Sequence, residues 1–125
     1  LSRYMPGVLI ESTAPTHIDK VATDFPELRL LISHGGYPWV NEILGVCIRH
    51  PNLYLDISSI YTKPLWENYV AMANTTLADR IVFASAHPFT FIDKAIQQVR
   101  SMGIHEASLE KVFYSNARQL FNRAN

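Results

Sequence analysis

The sequence predicts an α/β fold in which the strands of a parallel sheet alternate with helices. Apolar runs at residues 28–33, 53–58 and 80–85 are rich in aliphatic and β-branched side chains, and each predicts a buried strand. Their hydrophobicity is nearly continuous, which is typical of parallel strands covered on both faces. The runs recur about every 25 to 30 residues with helical patterns between them, which is the spacing of a repeated β/α unit.

Amphipathic patterns before, between and after the runs predict the helices. In the first helix, Ile18, Val21, Ala22 and Phe25 recur at helical spacing after Pro15. Further helices are predicted to begin at Pro38 and near Pro64, and to cover 90–102, 106–114 and 116–121. Their predicted inward-facing residues include Trp39, Ile43, Cys47, Leu65, Tyr69, Ile92 and Val99.

Three strands do not close a barrel by themselves. A complete (β/α)8 domain takes roughly 250 residues, whereas this chain has 125. Alone, the outer strands would expose apolar edges that favour aggregation. We therefore expect that a further segment of a longer polypeptide, or a second chain in a homo- or hetero-oligomer, supplies the first five β/α units. A self-contained three-stranded domain is the alternative.

The composition excludes some classes of partner. Eleven basic and eleven acidic residues balance, so net charge draws the chain neither to nucleic acid nor to an anionic membrane. Cys47 is the single cysteine, which suits a reducing compartment, and we expect a cytoplasmic location. No apolar run approaches the roughly 18 residues that span a bilayer. The start at Leu1 rather than Met is expected of a trimmed or partial chain.

The candidate functional residues follow the apolar runs, because active sites of parallel α/β folds gather at the carboxyl ends of the strands. His34 comes directly after the first run and before Gly35-Gly36. There its imidazole can point into the mouth of a barrel, where a neutral ring nitrogen can bind a divalent metal. His34 is thus the candidate metal ligand, and a hydrogen-bonded loop histidine is the alternative.

Two more candidates lie in the second run and one follows the third. Asp56 and Ser58 have equal parity and should share one face of the strand. Asp56 can orient a metal ligand, or can simply bond to the backbone or to an arginine. His87 follows the third run as a candidate catalytic residue or an ordinary loop histidine. The remaining histidines, at 17, 50 and 105, are predicted to have solvent or capping roles.

Four motifs together resemble one family of enzymes. They are Phe25-Pro26-Glu27-Leu28, His34-Gly35-Gly36-Tyr37-Pro38-Trp39, the run 50–56 and the closing run 116–121. In this order and spacing they resemble the amidohydrolase-related family, which includes aminocarboxymuconate-semialdehyde and resorcylate-type decarboxylases and related hydrolases and hydratases. The resemblance covers nearly the whole chain. It implies a distorted (β/α)8 TIM barrel of which residues 1–125 are the C-terminal part, about the last three β/α units.

The resemblance also implies a metal, commonly zinc, surrounded by a His-x-His pair on the first strand, histidines on the fifth and sixth strands and an aspartate on the eighth. His34 matches the sixth-strand histidine, whereas Ala86 stands where the aspartate is expected. Ala86 can be an engineered substitution, a natural divergence or the mark of a non-catalytic subunit. No histidine lies near Leu1, where the fifth-strand ligand is expected. We therefore predict that this chain alone is inactive.

Two function hypotheses follow. In the first, the chain is the C-terminal portion or small subunit of a decarboxylase, hydrolase or hydratase that acts on a small carboxylated, aromatic or unsaturated compound. Tyr37, Ser58 and Phe89 would then contact the substrate, and the rest of the barrel would supply the missing ligands of a divalent metal. In the second, the chain is a non-catalytic structural subunit that completes or stabilises a partner barrel.

Overall fold

The computed structural model describes residues 7–122. Its helices and strands, in chain order, are α1 (Pro15–Asp24), β1 (Leu30–Ile32), α2 (Val40–Arg49), β2 (Leu53–Asp56), α3 (Trp66–Ala73), β3 (Ile81–Val82), α4 (Ile92–Arg100), α5 (Glu106–Glu110) and α6 (Asn116–Phe121). A π-helical turn, Lys111–Ser115, joins the last two helices. No helix within residues 7–122 is both long and apolar enough to cross a membrane.

The three strands form one parallel sheet in the order β1-β2-β3. Leu30 pairs with Leu53, and Leu55 pairs with Ile81. The connections between successive strands contain α2 and α3, so each connection is a β/α/β crossover. The predicted α/β class with a parallel sheet is confirmed.

Each strand is shorter than the apolar run that predicted it. Residue 28 belongs to a turn, because its N–H donates to the carbonyl of Phe25 at 3.0 Å. At the other end, the chain leaves the sheet soon after β1 and β2. There the N–H groups of His34 and Ser58 donate to the carboxylate of Asp56 instead of to a neighbouring strand.

Alternate residues of the central strand face two different layers. Leu53 and Leu55 belong to the main apolar core beneath the helices, whereas Tyr54 packs with Leu120 of α6. All four residues of β2 are buried. Asp56 has the parity of Tyr54, so the strand presents its carboxylate on the same face as Tyr54, at the carboxyl end.

Four side chains that were predicted to point inward are exposed: Val21, Phe25, Leu65 and Ile92. Leu65 has a left-handed φ of 66° and α3 begins after it. Ile92 is the first residue of α4. Val21 borders an open cavity beside β1, whose outer edge has no neighbouring strand among residues 7–122. Helical spacing alone predicted burial that the surroundings do not provide.

His50 is the C-cap residue of α2, which agrees with a capping role, but its imidazole is not exposed to solvent. It is buried, and its Nε2 lies 2.6 Å from Asp19 Oδ1, which ties the end of α2 to α1. This hydrogen bond holds the pKa of the Asp19 carboxyl below its usual value, with a further contribution from the charge of Arg49. The sequence did not indicate the pair, because its partners lie 31 positions apart.

Two arginines cap helix ends at the amino-terminal side of the sheet. One Arg29 nitrogen donates to the carbonyls of Gln119 at 2.7 Å and Asn122 at 2.7 Å, at the end of α6. Arg80 donates to the carbonyls of Cys47 and His50, at the end of α2. A cation at a helix C-terminus satisfies carbonyls that have no partner within the helix and opposes the helix dipole.

Asn116 fastens α6 to the start of β3. Its side chain is 2% exposed, and its Nδ2 donates to the carbonyls of Ala78 and Ile81, each at 2.8 Å. A buried carbonyl without a donor costs free energy, so the amide satisfies two such groups at once. The asparagine of the closing motif therefore has a structural role.

The turn after β1 depends on its glycines. His34, Gly35 and Gly36 have φ angles of 55°, 59° and 67°. A Cβ atom on Gly35 would lie 2.6 Å from the ring of Tyr69, whose hydroxyl donates to the Gly35 carbonyl at 2.8 Å. Burial raises the pKa of Tyr69, so its hydroxyl remains a neutral donor. Tyr69 thus packs directly against backbone that carries no side chain.

Replacing Asn116 with alanine should destabilise the intact protein by about 2 kcal/mol, because two buried carbonyls lose their donor. Urea denaturation monitored by circular dichroism measures the free energy of unfolding. Gln119→Ala, at an exposed position of the same helix, is the control and should change that free energy by less than about 0.5 kcal/mol. Equal effects of the two substitutions would contradict this role for Asn116.

Replacing Gly35 with alanine should destabilise the protein by about 2 kcal/mol or more, through left-handed strain and the clash with Tyr69. The matched control is Gly45→Ala, since Gly45 lies within α2 and a Cβ there would meet no atom within 4 Å. That variant should gain up to about 1 kcal/mol from helix propensity. The same denaturation measurement compares the two, and a neutral Gly35→Ala would show that the turn tolerates a side chain.

Candidate functional site

The carboxyl ends of the three strands define the mouth of the sheet, and three of the predicted site residues meet there. His34 follows β1, Asp56 ends β2 and Ser58 lies two residues later. Nδ1 of His34 lies 2.8 Å from Oγ of Ser58, which lies 2.5 Å from Oδ1 of Asp56. The sequence placed these residues on neighbouring strand ends, and the structure joins them in one hydrogen-bonded cluster.

The Asp56 carboxylate is the centre of this cluster. Its Oδ1 accepts the backbone N–H of His34 at 3.0 Å and the backbone N–H of Ser58 at 3.0 Å, in addition to the Ser58 hydroxyl. Asp56 and Ser58 are 5% and 3% exposed, so water does not compete for these bonds. Asp56 thus bonds to the backbone as one of its predicted roles requires, and within residues 7–122 no arginine or lysine forms an ion pair with it. Its other predicted role, the orientation of a metal ligand, stays a prediction.

The imidazole of His34 is the exposed member of the cluster. Its Nδ1 faces Ser58, with the hydroxyl at 2.8 Å and the carbonyl at 3.2 Å. Its other nitrogen, Nε2, has no hydrogen-bond partner in the described part of the chain. One nitrogen is therefore occupied by the protein and the other is available at the mouth.

The candidates in the loop after β3 form no hydrogen bond with this cluster among residues 7–122. The backbone N–H of His87 donates to Oγ of Ser85 at 3.1 Å, and its ring lies 6.5 Å from the ring of Phe91. Phe89 is 94% exposed, so it lines no pocket formed by residues 7–122. The roles predicted for His87 and Phe89 remain predictions.

Ala86 lies at the turn of the same loop with a left-handed φ of 58°. Asparagine and aspartate adopt this conformation more readily than alanine does. Its methyl group has no atom that can bind a metal. Within residues 7–122 no group of three or more histidine, cysteine, aspartate or glutamate side chains is arranged to hold a metal ion.

The described residues do not make a complete metal site, although one of them fits such a site. His34 has one ring nitrogen held by the protein and one open, as histidine ligands of metals generally do. The single cysteine is not a candidate ligand, because burial raises the pKa of Cys47 to about 12 and keeps the thiol protonated. A metal at the mouth would need further ligands from outside residues 7–122.

Two features of the mouth were missed from the sequence. Lys63 follows β2, and its Nζ lies 5.8 Å from the centre of the half-buried ring of Tyr37, so a cation stands beside a predicted substrate contact. Its position in the segment after the second apolar run could have indicated that Lys63 lies at the mouth. Tyr69 was predicted as a core residue, but its hydrogen bond to Gly35 was not foreseen, because it joins positions 34 residues apart.

A cavity of about 310 Å³ lies beside β1 and not at the cluster. Its lining is mainly apolar and includes Ile18, Val21, Leu31 and Ile43. None of His34, Asp56 and Ser58 borders it. Its position at the outer edge of β1, away from the polar groups, separates it from the candidate site.

Comparisons with known proteins agree on family and fold. The family model for amidohydrolases matches residues 5–123. An uncharacterised TIM-barrel protein from Bordetella bronchiseptica, Bb4693, has a solved structure that superimposes with a TM-score of 0.87 at 38% identity, over 91% of this chain and 41% of that one. No curated protein matches the chain significantly.

A second solved structure is similar in fold. It is a 2,6-dihydroxybenzoate decarboxylase complexed with 2,6-dihydroxybenzoate, with a TM-score of 0.62 at 23% identity, over 81% of this chain and 36% of that one. This chain therefore spans less than half the length of either solved protein. Its three parallel strands correspond to part of a TIM barrel, and the chain belongs to the amidohydrolase family.

Proposed function

We propose that this chain is the C-terminal part of an amidohydrolase-like enzyme and contributes His34 to the active site. The observation that carries the proposal is the state of the imidazole. Nδ1 is held at 2.8 Å from a buried hydroxyl, while Nε2 is open at the mouth of a parallel sheet. Active sites of TIM barrels lie at this end of the strands. The first five β/α units would come from another segment or a partner chain.

His34 would hold a divalent metal, with zinc as the first candidate, through the open Nε2. Such a metal supplies Lewis-acid polarisation of an oxygen and lowers the pKa of bound water. The contribution of this chain is orientation. The imidazole is held by Ser58, and the backbone of His34 is held by the Asp56 carboxylate at 3.0 Å. The remaining ligands would lie outside residues 7–122.

The substrate would be a small carboxylated compound, aromatic or unsaturated, and the reaction a decarboxylation, hydrolysis or hydration. Lys63 and Tyr37 support this class, because a cation and an aromatic ring stand together at the mouth with 5.8 Å between Nζ and the ring centre. A carboxylate and a planar ring are the groups such a pair attracts. The decarboxylase of similar fold suggests 2,6-dihydroxybenzoate as the first probe.

A second candidate function is that of a non-catalytic subunit that completes or stabilises a partner barrel. Ala86 favours it, because the position expected to carry an aspartate has no functional group. In this case the His34 cluster would serve only to hold the turn after β1.

His34→Gln in the intact protein should lower kcat/KM by about 10²- to 10⁴-fold, the range for loss of a group that acts at the reacting centre. Release of CO2 from a panel of aromatic carboxylates, beginning with 2,6-dihydroxybenzoate, measures turnover, and elemental analysis measures bound metal. His105→Gln, at an exposed position before α5, is the control and should retain both. Full activity in His34→Gln would remove His34 from the site, and an intact protein without turnover or metal would favour the structural subunit.

Ala86→Asp should raise the affinity of the intact protein for Zn²⁺ by about tenfold or more, the scale on which a group in a metal site changes affinity. The left-handed backbone at position 86 accommodates aspartate without added strain. Isothermal titration of the metal-free protein with Zn²⁺ measures the change, and Ala86→Asn provides a neutral side chain of equal shape. Unchanged affinity in Ala86→Asp would show that this loop does not reach the metal.

A further inference from the structure

We propose that Ser58 and Asp56 are positioning residues that fix the neutral His34 imidazole in the Nδ1–H tautomer, which leaves the Nε2 lone pair at the mouth. The assignment of the tautomer stands on hydrogen-bond geometry alone. Its importance for activity rests on the proposed function. Ser58 is accordingly reassigned from a predicted substrate contact to a residue that acts through His34.

Three hydrogen-bond donors surround Oδ1 of Asp56. An ionised carboxylate only accepts hydrogen bonds. Oδ1 of Asp56 is within 3.0 Å of the N–H groups of His34 and Ser58 and 2.5 Å from the Ser58 hydroxyl oxygen. The short distance to the hydroxyl is typical of an O–H group that donates to a charged oxygen. The single proton of the Ser58 hydroxyl is therefore directed to Asp56.

The direction of the Ser58 hydroxyl proton determines which ring nitrogen of His34 carries a proton. With its hydrogen directed to Asp56, Oγ of Ser58 can only accept from His34, whose Nδ1 lies 2.8 Å away. The other group near Nδ1 is the Ser58 carbonyl at 3.2 Å, which also only accepts. Two acceptors facing one ring nitrogen require that this nitrogen carry the proton. In the neutral ring the lone pair is then on Nε2.

One carboxylate oxygen, Oδ1 of Asp56, holds the backbone of His34 directly and its ring through Ser58. The direct bond from the His34 N–H stabilises a left-handed residue with φ 55°, and the bond through Ser58 sets the ring. Both Asp56 and Ser58 are nine-tenths or more buried, so solvent does not replace a lost partner. A substitution of Asp56 or Ser58 should therefore change the proportion of the Nδ1–H and Nε2–H tautomers of His34.

The tautomer can be read directly by ¹⁵N-detected NMR of the intact, metal-free protein labelled with ¹⁵N-histidine. The measurement is made at a pH at which the ¹⁵N shifts themselves show a neutral ring. The His34 signals are those missing from His34→Gln. Ser58→Ala removes the relay, Ser58→Thr keeps a hydroxyl, and Ser59→Ala makes the same change at the adjacent serine, whose hydroxyl is not part of the cluster.

Wild-type protein, Ser58→Thr and Ser59→Ala should show pyrrole-type Nδ1 and pyridine-type Nε2. Ser58→Ala should show a several-fold larger share of the Nε2–H form, because it loses the nearer acceptor at 2.8 Å and keeps only the backbone carbonyl at 3.2 Å. If that variant does not fold, Asp56→Asn replaces it: the neutral amide holds the hydroxyl proton less firmly, Ser58 can then donate to Nδ1, and the Nε2–H share should again rise.

An Nε2–H tautomer in the wild-type protein, or an unchanged tautomer in both Ser58→Ala and Asp56→Asn, would overturn the inference. These readings require neither metal nor turnover, so they separate it from the proposed function. An Nδ1–H tautomer in an intact protein that binds no divalent metal and turns over neither aromatic nor unsaturated carboxylates upholds the inference and removes the proposed function. Turnover by a protein whose His34 ring is in the Nε2–H form would support the proposed function and overturn the inference about the tautomer.

Discussion

The left-handed turn that follows β1 is the constraint on which the candidate site depends. His34 is a non-glycine residue with φ 55°, a conformation that costs roughly 1 kcal/mol or more. A hydrogen bond to a charged group contributes about 1.5 to 3 kcal/mol, so the bond from its N–H to the Asp56 carboxylate is large enough to offset that cost. Because Asp56 belongs to β2, the turn exists only when the two strands are paired. The position of the His34 imidazole therefore depends on the pairing of β1 with β2.

The polar groups at the two ends of the sheet have different roles. At the amino-terminal side, Arg29, Arg80 and Asn116 donate to backbone carbonyls at the ends of helices and before β3, and none of these bonds involves the candidate site. At the carboxyl side the polar groups surround an exposed imidazole. In TIM barrels such a division lets the loops after the strands vary while the opposite end keeps the fold stable. A substitution of the exposed His34 side chain is therefore expected to change chemistry more readily than folding, unlike one at the buried Asp56 or Ser58.

Much of the fold could be predicted from the sequence, and less of the site. Strand pairing followed from the apolar runs, because a buried parallel strand is a local pattern of a few residues. The closeness of Asp56 and Ser58 to His34 was predictable in outline, since parity and strand order place them at one edge. The hydrogen bonds were not, because they depend on the turn that captures the N–H groups. His50 with Asp19 was missed because the pair is joined only by the packing of α2 on α1, and Tyr69 with Gly35 because that pair is joined only by the packing of α3 on the turn after β1.

The loop after β3 holds its backbone without help from the side chain at position 86. Ala86 has a left-handed φ of 58°, as His34 does after β1. Its methyl group makes no hydrogen bond that could offset the cost of this conformation. The loop holds itself through other atoms, since Ser85 Oγ accepts the N–H of His87 and the carbonyl of Ala86 accepts the N–H of Phe89 at 2.9 Å. Neither bond involves the side chain at position 86. The left-handed conformation therefore does not depend on the side chain at position 86, so alanine and aspartate are both compatible with this loop.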